Sequence, residues 1–535
     1  MANHDVSSSV AGAGWDSSTP RSRPASRARR SRLGLAPWRV VLALASGLGL
    51  SWAFAPKDAG WVAWLALIPL VVAVRGVRPR AGFVAGLLAG TVFFALSFLY
   101  IKQFGWLPWL ALAVFQGLFV AVFGFLASIM WRCRRPWLRV SGVGAAWAAG
   151  ELLRGYCGAL GFTFCDLAYS QYRAVAIMQV ASLVGHYGLG FIMALSGAAL
   201  VEAVPRPSRQ GRAPTGAPLL IVGLGLLVAL VWGHLRAPHI DADMQPPAID
   251  VVAVQASAGP EPPGERAYVQ EVTRRYIGRS MSDGRGADLI VWPETAVPTR
   301  INERPVLVDW VRSVPTRLGC TLLAGAAEAG PGGLTYNTLW GYDARGRAIG
   351  RYRKQQLVIF GEYVPWRDTL TFLKRYPIRD FDYSPGQEDV LIPVKGCGVA
   401  PMICFESIFP DISRRLVREG ATVLVVATSD SWVGAAPAEL WQHVQASPFR
   451  AVENGRWLIR AASTGVTCLI SPSGRITEEA PIGVVASVRG FVWPRQGMTL
   501  YTQAGDWPLV ALVSFLLLAG VRNLRPFGAR RRSAA

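Results

Sequence analysis

Three short stretches of this 535-residue chain bring together residue types that suffice for acyl transfer. LIVWPE ends on Glu294, VAPMIC ends on Cys404, and the basic stretch RYRKQQLVIFGEYVP carries Lys354 and Glu362. The first two close apolar, strand-like runs, and in α/β folds ligands and catalytic groups gather at the C-terminal ends of strands. Cys404 is followed by Phe405, Glu406 and a helix-like SIFPDISRRLVREG, so its thiol stands at a strand-to-helix junction. A helix N-terminus and a nearby ammonium both stabilise a thiolate, which predicts a lowered thiol pKa. A carboxylate within hydrogen-bond reach takes the thiol proton and returns it to a leaving group. A lysine holds an oxyanion. Glu, Lys and Cys together make an activated nucleophile with its base and its electrophilic partner.

Each of these residues also has a plainer reading. A cysteine after an apolar strand is commonly a small core residue, and Glu294 after Trp-Pro fits a helix cap. Lys354 beside Arg351 and Arg353 fits a solvated charge run, and Glu362 and Glu406 fit surface carboxylates. His443 reads as helix packing or a local hydrogen bond rather than as a catalytic group, since the five histidines are scattered and suggest neither a Cys–His dyad nor a metal site. The seven cysteines are odd in number and irregular in spacing, which suggests neither a disulfide framework nor a CxxC zinc site.

The residues with this chemistry sit in a region of short β-branched runs: IDVVAVQ (249–255), ADLIVW (287–292), CTLLA (320–324), 399–404 and ATVLVVA (421–427). Amphipathic stretches such as 266–282 and 441–453 lie between several of them, which predicts a layered α/β domain. The flanking sequence is of another kind. Over half of the chain is hydrophobic, 17% is charged, and mean hydropathy is +0.30. Apolar runs occur at 38–55, 61–74, 82–101, 106–131, 140–153, 177–204, 218–234 and 507–521. Each approaches or exceeds the length that crosses about 30 Å of hydrocarbon; the second, fifth and last are short, and the second holds Pro69. If the N-terminal tail is cytoplasmic and every run crosses, the basic stretches 75–80, 132–139, 206–212 and 522–532 all fall inside, as the positive-inside rule requires. The net charge of +21 is thereby read as membrane topology rather than as a nucleic-acid surface. Glu151 and Arg154, costly near a bilayer, read as an interhelical pair under the enzyme domain.

The ordered combination resembles the nitrilase superfamily, whose members use a Glu–Lys–Cys triad. More narrowly, the chain is similar to the apolipoprotein N-acyltransferase family. The similarity rests on VWPETAVP, TYNTLW (335–340), YRKQQLVIFGEYVP, MICFES, SDSWVG (429–434) and WQHVQASPFRAVENGR (441–456). In the apolar half it rests on AAWAAGELLRG, AYSQ and VGHYGLGF (184–191), so it spans nearly everything from Trp38 to Val521. The resemblance implies an α-helical transmembrane bundle of about eight helices plus an inserted α/β nitrilase-like αββα sandwich domain. The expected division is 1–33 as a basic cytoplasmic tail, 34–236 as the bundle, and 237–506 as an extracytoplasmic catalytic domain. A last helix follows at 507–521, then a basic tail at 522–535.

Carried over by residue, Glu294 is the expected general base, Lys354 the oxyanion stabiliser and Cys404 the nucleophile. Glu362 is expected to orient the site, with Phe405 and Glu406 beside the thiol. The expected donor is a membrane phospholipid and the expected acceptor a diacylglyceryl apolipoprotein, at the bacterial inner membrane, with no cofactor or metal and a monomeric enzyme. Trp366, Phe372 and Tyr376 are candidates for a lid or acyl-chain portal. The chain departs from the family pattern in having Phe405 where Tyr is usual, QASAGPEPPGE from Gln255, Ser429 where Asn is usual, and AASTG at 461–465. Two other readings stand beside this one: a membrane-tethered amidase or nitrilase with water as acceptor, and a non-catalytic membrane scaffold.

Overall fold

A computed structural model describes residues 35–204, 216–256, 266–365, 367, 369, 382–430 and 437–524. The portal candidates Trp366, Phe372 and Tyr376, nearly all of both tails, the basic stretch 206–212 and Ser257 lie outside those residues. The apolar runs fold as helices because nothing in them competes with helix formation until a proline or glycine intervenes. Among the described residues, four helices are long and apolar enough to cross a membrane: Pro79–Ser97, Trp106–Met130, Ala181–Ala203 and Ala217–Ala242. The last has 26 residues, about 39 Å at 1.5 Å per residue. Its surface is largely bare, with Leu220 and Ile221 more than 70% exposed. A helix apolar all round and unburied by protein is stable in lipid, not in water. The chain is a membrane protein.

The remaining apolar runs form shorter or more polar helices, Pro37–Trp52, Pro136–Gly155 and Trp507–Arg522. The second run is broken into Ala63–Ala66 and Ile68–Val74, with Pro69 in the first turn of the latter piece. Proline lacks the N–H that a continuous helix needs there. The two ends of the bundle differ. At one end Glu202 pairs with Arg75 and Arg139, and Arg134 N donates to Asn523 O, which gathers three of the basic stretches. At the other end the bundle meets the α/β domain: Gln442 Nε2 donates to the carbonyls of Ala55 (3.0 Å) and Ser97 (2.9 Å).

Among the described residues the α/β domain holds thirteen strands: β1 Ile249–Gln255, β2 Leu289–Val291, β3 Val297–Arg300, β4 Thr321–Ala329, β5 Thr335–Tyr342, β6 Ala348–Arg353, β7 Ile392–Val394, β8 Cys397–Ile403, β9 Val423–Thr428, β10 Trp457–Ala462, β11 Cys468–Ile470, β12 Ile476–Glu479 and β13 Ala486–Val492. One sheet runs β13-β1-β2-β4-β5-β6, with β3 beside β4; the other runs β12-β11-β10-β9-β8-β7. Strand alternation explains the layering. Val251 and Ala253 of β1 meet Ile403, Val425 and Ile459 of the second sheet in an apolar inter-sheet core. Their neighbours Val252 and Val254 face Val272 and Tyr276 on the helix Arg266–Asp283. The second sheet is covered by Pro410–Arg418 and Pro437–Asn454. Val444 and Phe449 of that layer share one continuous core with bundle residues such as Phe98 and Tyr169. The order of layers is α, β, β, α, and the second helical layer is sealed against the membrane half.

Candidate active site

Parallel pairing of β2 with β4 and of β8 with β9 brings their C-terminal ends to one rim of the sandwich. Glu294 follows β2, Lys354 follows β6, and Cys404 follows β8. Arg351 and Arg353 turn outward to Glu328, while Lys354, one residue on, is only 1% exposed. The charge-run reading thus holds for the arginines and not for the lysine. Lys354 Nζ donates to Glu362 Oε2 at 2.9 Å and lies 3.3 Å from Glu294 Oε1. Burial alone would depress this ammonium, but the carboxylates of Glu294 and Glu362 outweigh it and hold its pKa well above the ordinary value.

Three left-handed non-glycine residues mark the same rim: Thr295 (φ 55°), Phe360 (φ 64°) and Cys404 (φ 52°). Such conformations cost about 1–3 kcal/mol each and persist where surrounding contacts over-determine them. At Cys404 that determination is visible. Glu406 reaches back to Ile403 N with Oε2 at 2.7 Å, and with Oε1 accepts from Gln355 N (2.7 Å), Gln356 N (3.2 Å) and Tyr352 Oη (2.9 Å). One carboxylate ties the Cys404 turn to the strand and loop that carry Lys354. Burial pushes Glu406 up to about 7, against four donors that favour its ionised form. Gly325 serves the close approach of Glu294: a Cβ there would stand 2.2 Å from the Pro293 carbonyl and 2.7 Å from Glu294 Cα.

Burial pushes the Cys404 thiol well above its ordinary range and Glu294 adds to that, with Lys354 opposing. This corrects the lowered value expected at a strand-to-helix junction. The helical turn Cys404–Ile408 has only five residues, and desolvation outweighs its dipole. Cys404 is thus a buried thiol beside the Glu294 carboxylate, an arrangement suited to proton transfer between them.

All six nominated residues come together. Cys404, Glu294, Lys354 and Glu362 line the rim, Glu406 braces it, and Phe405 stacks on Phe164 and meets Phe162 at a tilt, both in the membrane half. Sequence reasoning passed over Asn337. Its Nδ2 donates to both Glu294 Oε1 (2.7 Å) and Glu362 Oε1 (2.9 Å), holding the two carboxylates apart from within β5. A polar side chain buried in a strand was the signal available for it. Ser429 supplies its backbone N–H to Glu294 Oε2 at 2.8 Å, a contact that the change of side chain from Asn leaves in place. Gln255 is remote in role: its amide donates to the carbonyls of Pro481 and Val484.

Both halves of the chain hold the turn that follows Cys404. Thr163 Oγ1 (2.8 Å), Tyr169 Oη (3.2 Å) and Arg450 Nη1 (3.1 Å) all donate to the carbonyl of Ile408. Arg450 pairs with Glu453, whose carboxylate lies 3.1 Å from His186 Nδ1, and His186 Nε2 lies 3.1 Å from Asp166. Glu151 and Arg154, expected to pair with each other, instead both bind the segment that follows their own helix Pro136–Gly155, Glu151 at Leu167 N and Arg154 at Asp166. They lie three residues apart on one helix and turn to the same neighbour. Among the described residues, only Cys404, Asp430 and His443 have metal-type ligand atoms gathered together, all within 4.8 Å, and both ring nitrogens of His443 already have protein partners.

Comparison with known proteins agrees with this layout. Residues 253–483 match the Carbon-nitrogen hydrolase family, and residues 46–199 match the Apolipoprotein N-acyltransferase N-terminal domain. The apolipoprotein N-acyltransferase of Pseudomonas paraeruginosa is 33% identical over 508 residues, covering 91% of this chain and 96% of that protein. That of Geobacter metallireducens is 28% identical over 508 residues, covering 92% of this chain and 96% of its own length. Among solved structures, Saccharomyces cerevisiae Nit3 of the nitrilase superfamily overlays 49% of this chain and 95% of its own, with a TM-score of 0.37 and 19% identity. With two family domains in order and full-length relatives above 30% identity, the chain belongs to the apolipoprotein N-acyltransferase family and is an acyltransferase.

Proposed function

We propose that the chain moves an acyl group from a membrane phospholipid to the α-amine of the diacylglyceryl-cysteine of apolipoproteins, through a thioester on Cys404. The observation that carries this reading is a buried Glu294–Lys354–Cys404 cluster in a domain whose outer helices are sealed into an apolar bundle. Glu294 takes the Cys404 proton as sulfur attacks the ester carbonyl, and Lys354 and backbone N–H groups hold the oxyanion. The C–O bond breaks, and the proton leaves with the lysophospholipid. The amine then attacks the thioester, the C–S bond breaks, and Glu294 accepts the amine proton. The product is a triacylated lipoprotein, and no cofactor or metal is required. Glu362 and Asn337 keep Lys354 and Glu294 in register, and Glu406 keeps the thiol turn against them.

In this proposal residues 34–236 and 507–521 are a bundle of about eight helices, and 237–506 form a catalytic domain on the extracytoplasmic face of the inner membrane. The gathering of basic stretches at the bundle end opposite that domain supports the orientation. A tethered domain at the bilayer surface raises the effective concentration of two lipid-anchored substrates, and a monomer suffices. The test is to incubate purified full-length protein with phospholipid alone and map acylated cysteines by mass spectrometry. The proposal expects an acyl thioester on Cys404 that a diacylglyceryl peptide discharges. A thioester on another cysteine, or discharge by water as fast as by the peptide, would overturn it.

A further inference from the structure

Asp430 and His443 have no role in the reaction above, yet they stand directly behind the nucleophile. Asp430 follows β9, His443 lies on the helix Pro437–Asn454, and both are buried. His443 Nδ1 is 3.1 Å from Asp430 Oδ1. Its Nε2 is 3.1 Å from Ser407 Oγ and 3.1 Å from the carbonyl oxygen of Cys404. Asp430 is itself held by Thr428 Oγ1 at 3.0 Å, with Arg460 Nη2 3.5 Å from its other oxygen. Gly465 leaves room for it, since a Cβ there would meet Asp430 Oδ2 at 2.0 Å.

The order Ser, His, Asp is that of a hydrolytic triad, but Ser407 is wholly buried and offers no nucleophile. A different use follows from what each atom can donate. A neutral ring with its proton on Nδ1 serves Asp430 and accepts the Ser407 hydroxyl at Nε2. A doubly protonated ring serves Asp430 and donates from Nε2 to the Cys404 carbonyl. In both states Nε2 holds the turn Cys404–Ile408, whose first residue carries the left-handed backbone. Burial and Arg460 keep the ring below its ordinary pKa despite Asp430, which favours the neutral arrangement.

We propose that Asp430 and His443 are positioning residues for the acyl-transfer nucleophile, fixing the Cys404 turn through Nε2 of the ring. The proposal rests on Cys404 being the reacting thiol. The test separates the two ring nitrogens, because a Gln amide falls near Nε2 and an Asn amide near Nδ1. Full-length His443→Gln, His443→Asn, Asp430→Asn and Ser407→Ala are assayed in phospholipid–detergent micelles. The readouts are the rate of thioester formation, KM for phospholipid, and peptide-resolved alkylation of Cys404 by iodoacetamide.

His443→Asn should slow thioester formation about tenfold to a hundredfold with KM within about twofold, and His443→Gln should restore the rate to within about threefold. Asp430→Asn and Ser407→Ala should fall between them. Equal rates for the Gln and Asn variants would overturn the proposal. If His443→Asn does not fold, wild-type rates in both Asp430→Asn and Ser407→Ala would overturn it instead. Alkylation needs no acyl donor, so the same order of rates decides the matter even if the wild type forms no thioester. In that event the acyl-transfer reading fails separately.

Discussion

Replacing Glu406 by Gln removes one carboxylate oxygen from a side chain that receives four donors. An amide can keep its oxygen on Gln355 N, Gln356 N and Tyr352 Oη, but its NH2 then confronts Ile403 N–H, formerly bonded at 2.7 Å. The reverse orientation breaks three contacts instead of one. Each bond to a charged acceptor contributes about 1.5–3 kcal/mol. The preferred orientation therefore forfeits one such bond, weakens three others and opposes two donors, a loss of about 3 kcal/mol at the junction of the Cys404 turn and the Lys354 loop. Expressed as misplacement of the thiol, that is about a hundredfold in kcat. Global stability should change less, because the substitution also relieves the burial of a charge.

The pH dependence has a definite sign. Glu406 is raised from 4.5 to about 7, so as pH falls through that window the folded protein takes up a proton that the unfolded chain does not yet bind. For this group alone, stability rises as pH falls through the window and declines as pH climbs toward about 7. Activity moves oppositely, because protonation puts a donor among donors. The wild type should lose kcat below about pH 7, and Glu406→Gln should lack that acid limb. Steady-state kinetics from pH 5 to 9, with thermal denaturation of the same samples, reads both effects (pH values being about the range where Glu406 titrates). A Glu406→Gln enzyme with wild-type kcat, or one that keeps an acid limb near pH 7, would refute the reasoning.

Further expectations follow from other contacts. Gly325→Ala puts a methyl against the Pro293 carbonyl and should lower kcat at least about tenfold while costing about 1–3 kcal/mol of stability; equal kcat at wild-type stability would contradict the close approach. Asn337→Asp places a third carboxylate between Glu294 and Glu362 and should depress activity most at high pH, with partial recovery on acidification, measured as a pH profile of kcat/KM. Thr163→Val should slow thioester formation although Thr163 lies in the membrane half, and Thr163→Ser should restore it, since only the hydroxyl reaches the Ile408 carbonyl. Glu202→Leu deprives buried Arg139 of its carboxylate and should lower stability by about 3–5 kcal/mol in a thermal melt, leaving KM unaltered.

Glu294 and Cys404 were legible as candidates because each ends a recognisable apolar run, and strand ends are where α/β domains place chemistry; Lys354, in a basic stretch, stood out only through the family resemblance. The layered α/β character was legible because the near-continuous apolar runs of IDVVAVQ and its fellows mark strands covered on both faces, while the αββα order came from the family resemblance. What the sequence concealed lies at long separation. Asn337 sits in mid-strand within TYNTLW, a stretch that carried the resemblance without marking the asparagine as a site residue, and its importance comes from Glu294 and Glu362 arriving on either side of it. The bond from Thr163 to the Ile408 carbonyl spans 245 positions and depends on the docking of two domains. The thiol's pKa was misjudged because a five-residue helical turn was credited with a dipole, while the cost of burying a thiolate beside Glu294 is set by tertiary packing.

The central claim is that Cys404 carries acyl groups from phospholipid to lipoprotein amines. The most direct measurement is mass spectrometry of lipoprotein N-termini in bacteria lacking their own N-acyltransferase, complemented with the wild-type chain or with Cys404→Ser at matched expression. The account predicts an amide-linked acyl chain on the N-terminal cysteine with the wild type and none with Cys404→Ser. Unmodified amines with well-expressed wild type, or full acylation by Cys404→Ser, would contradict it.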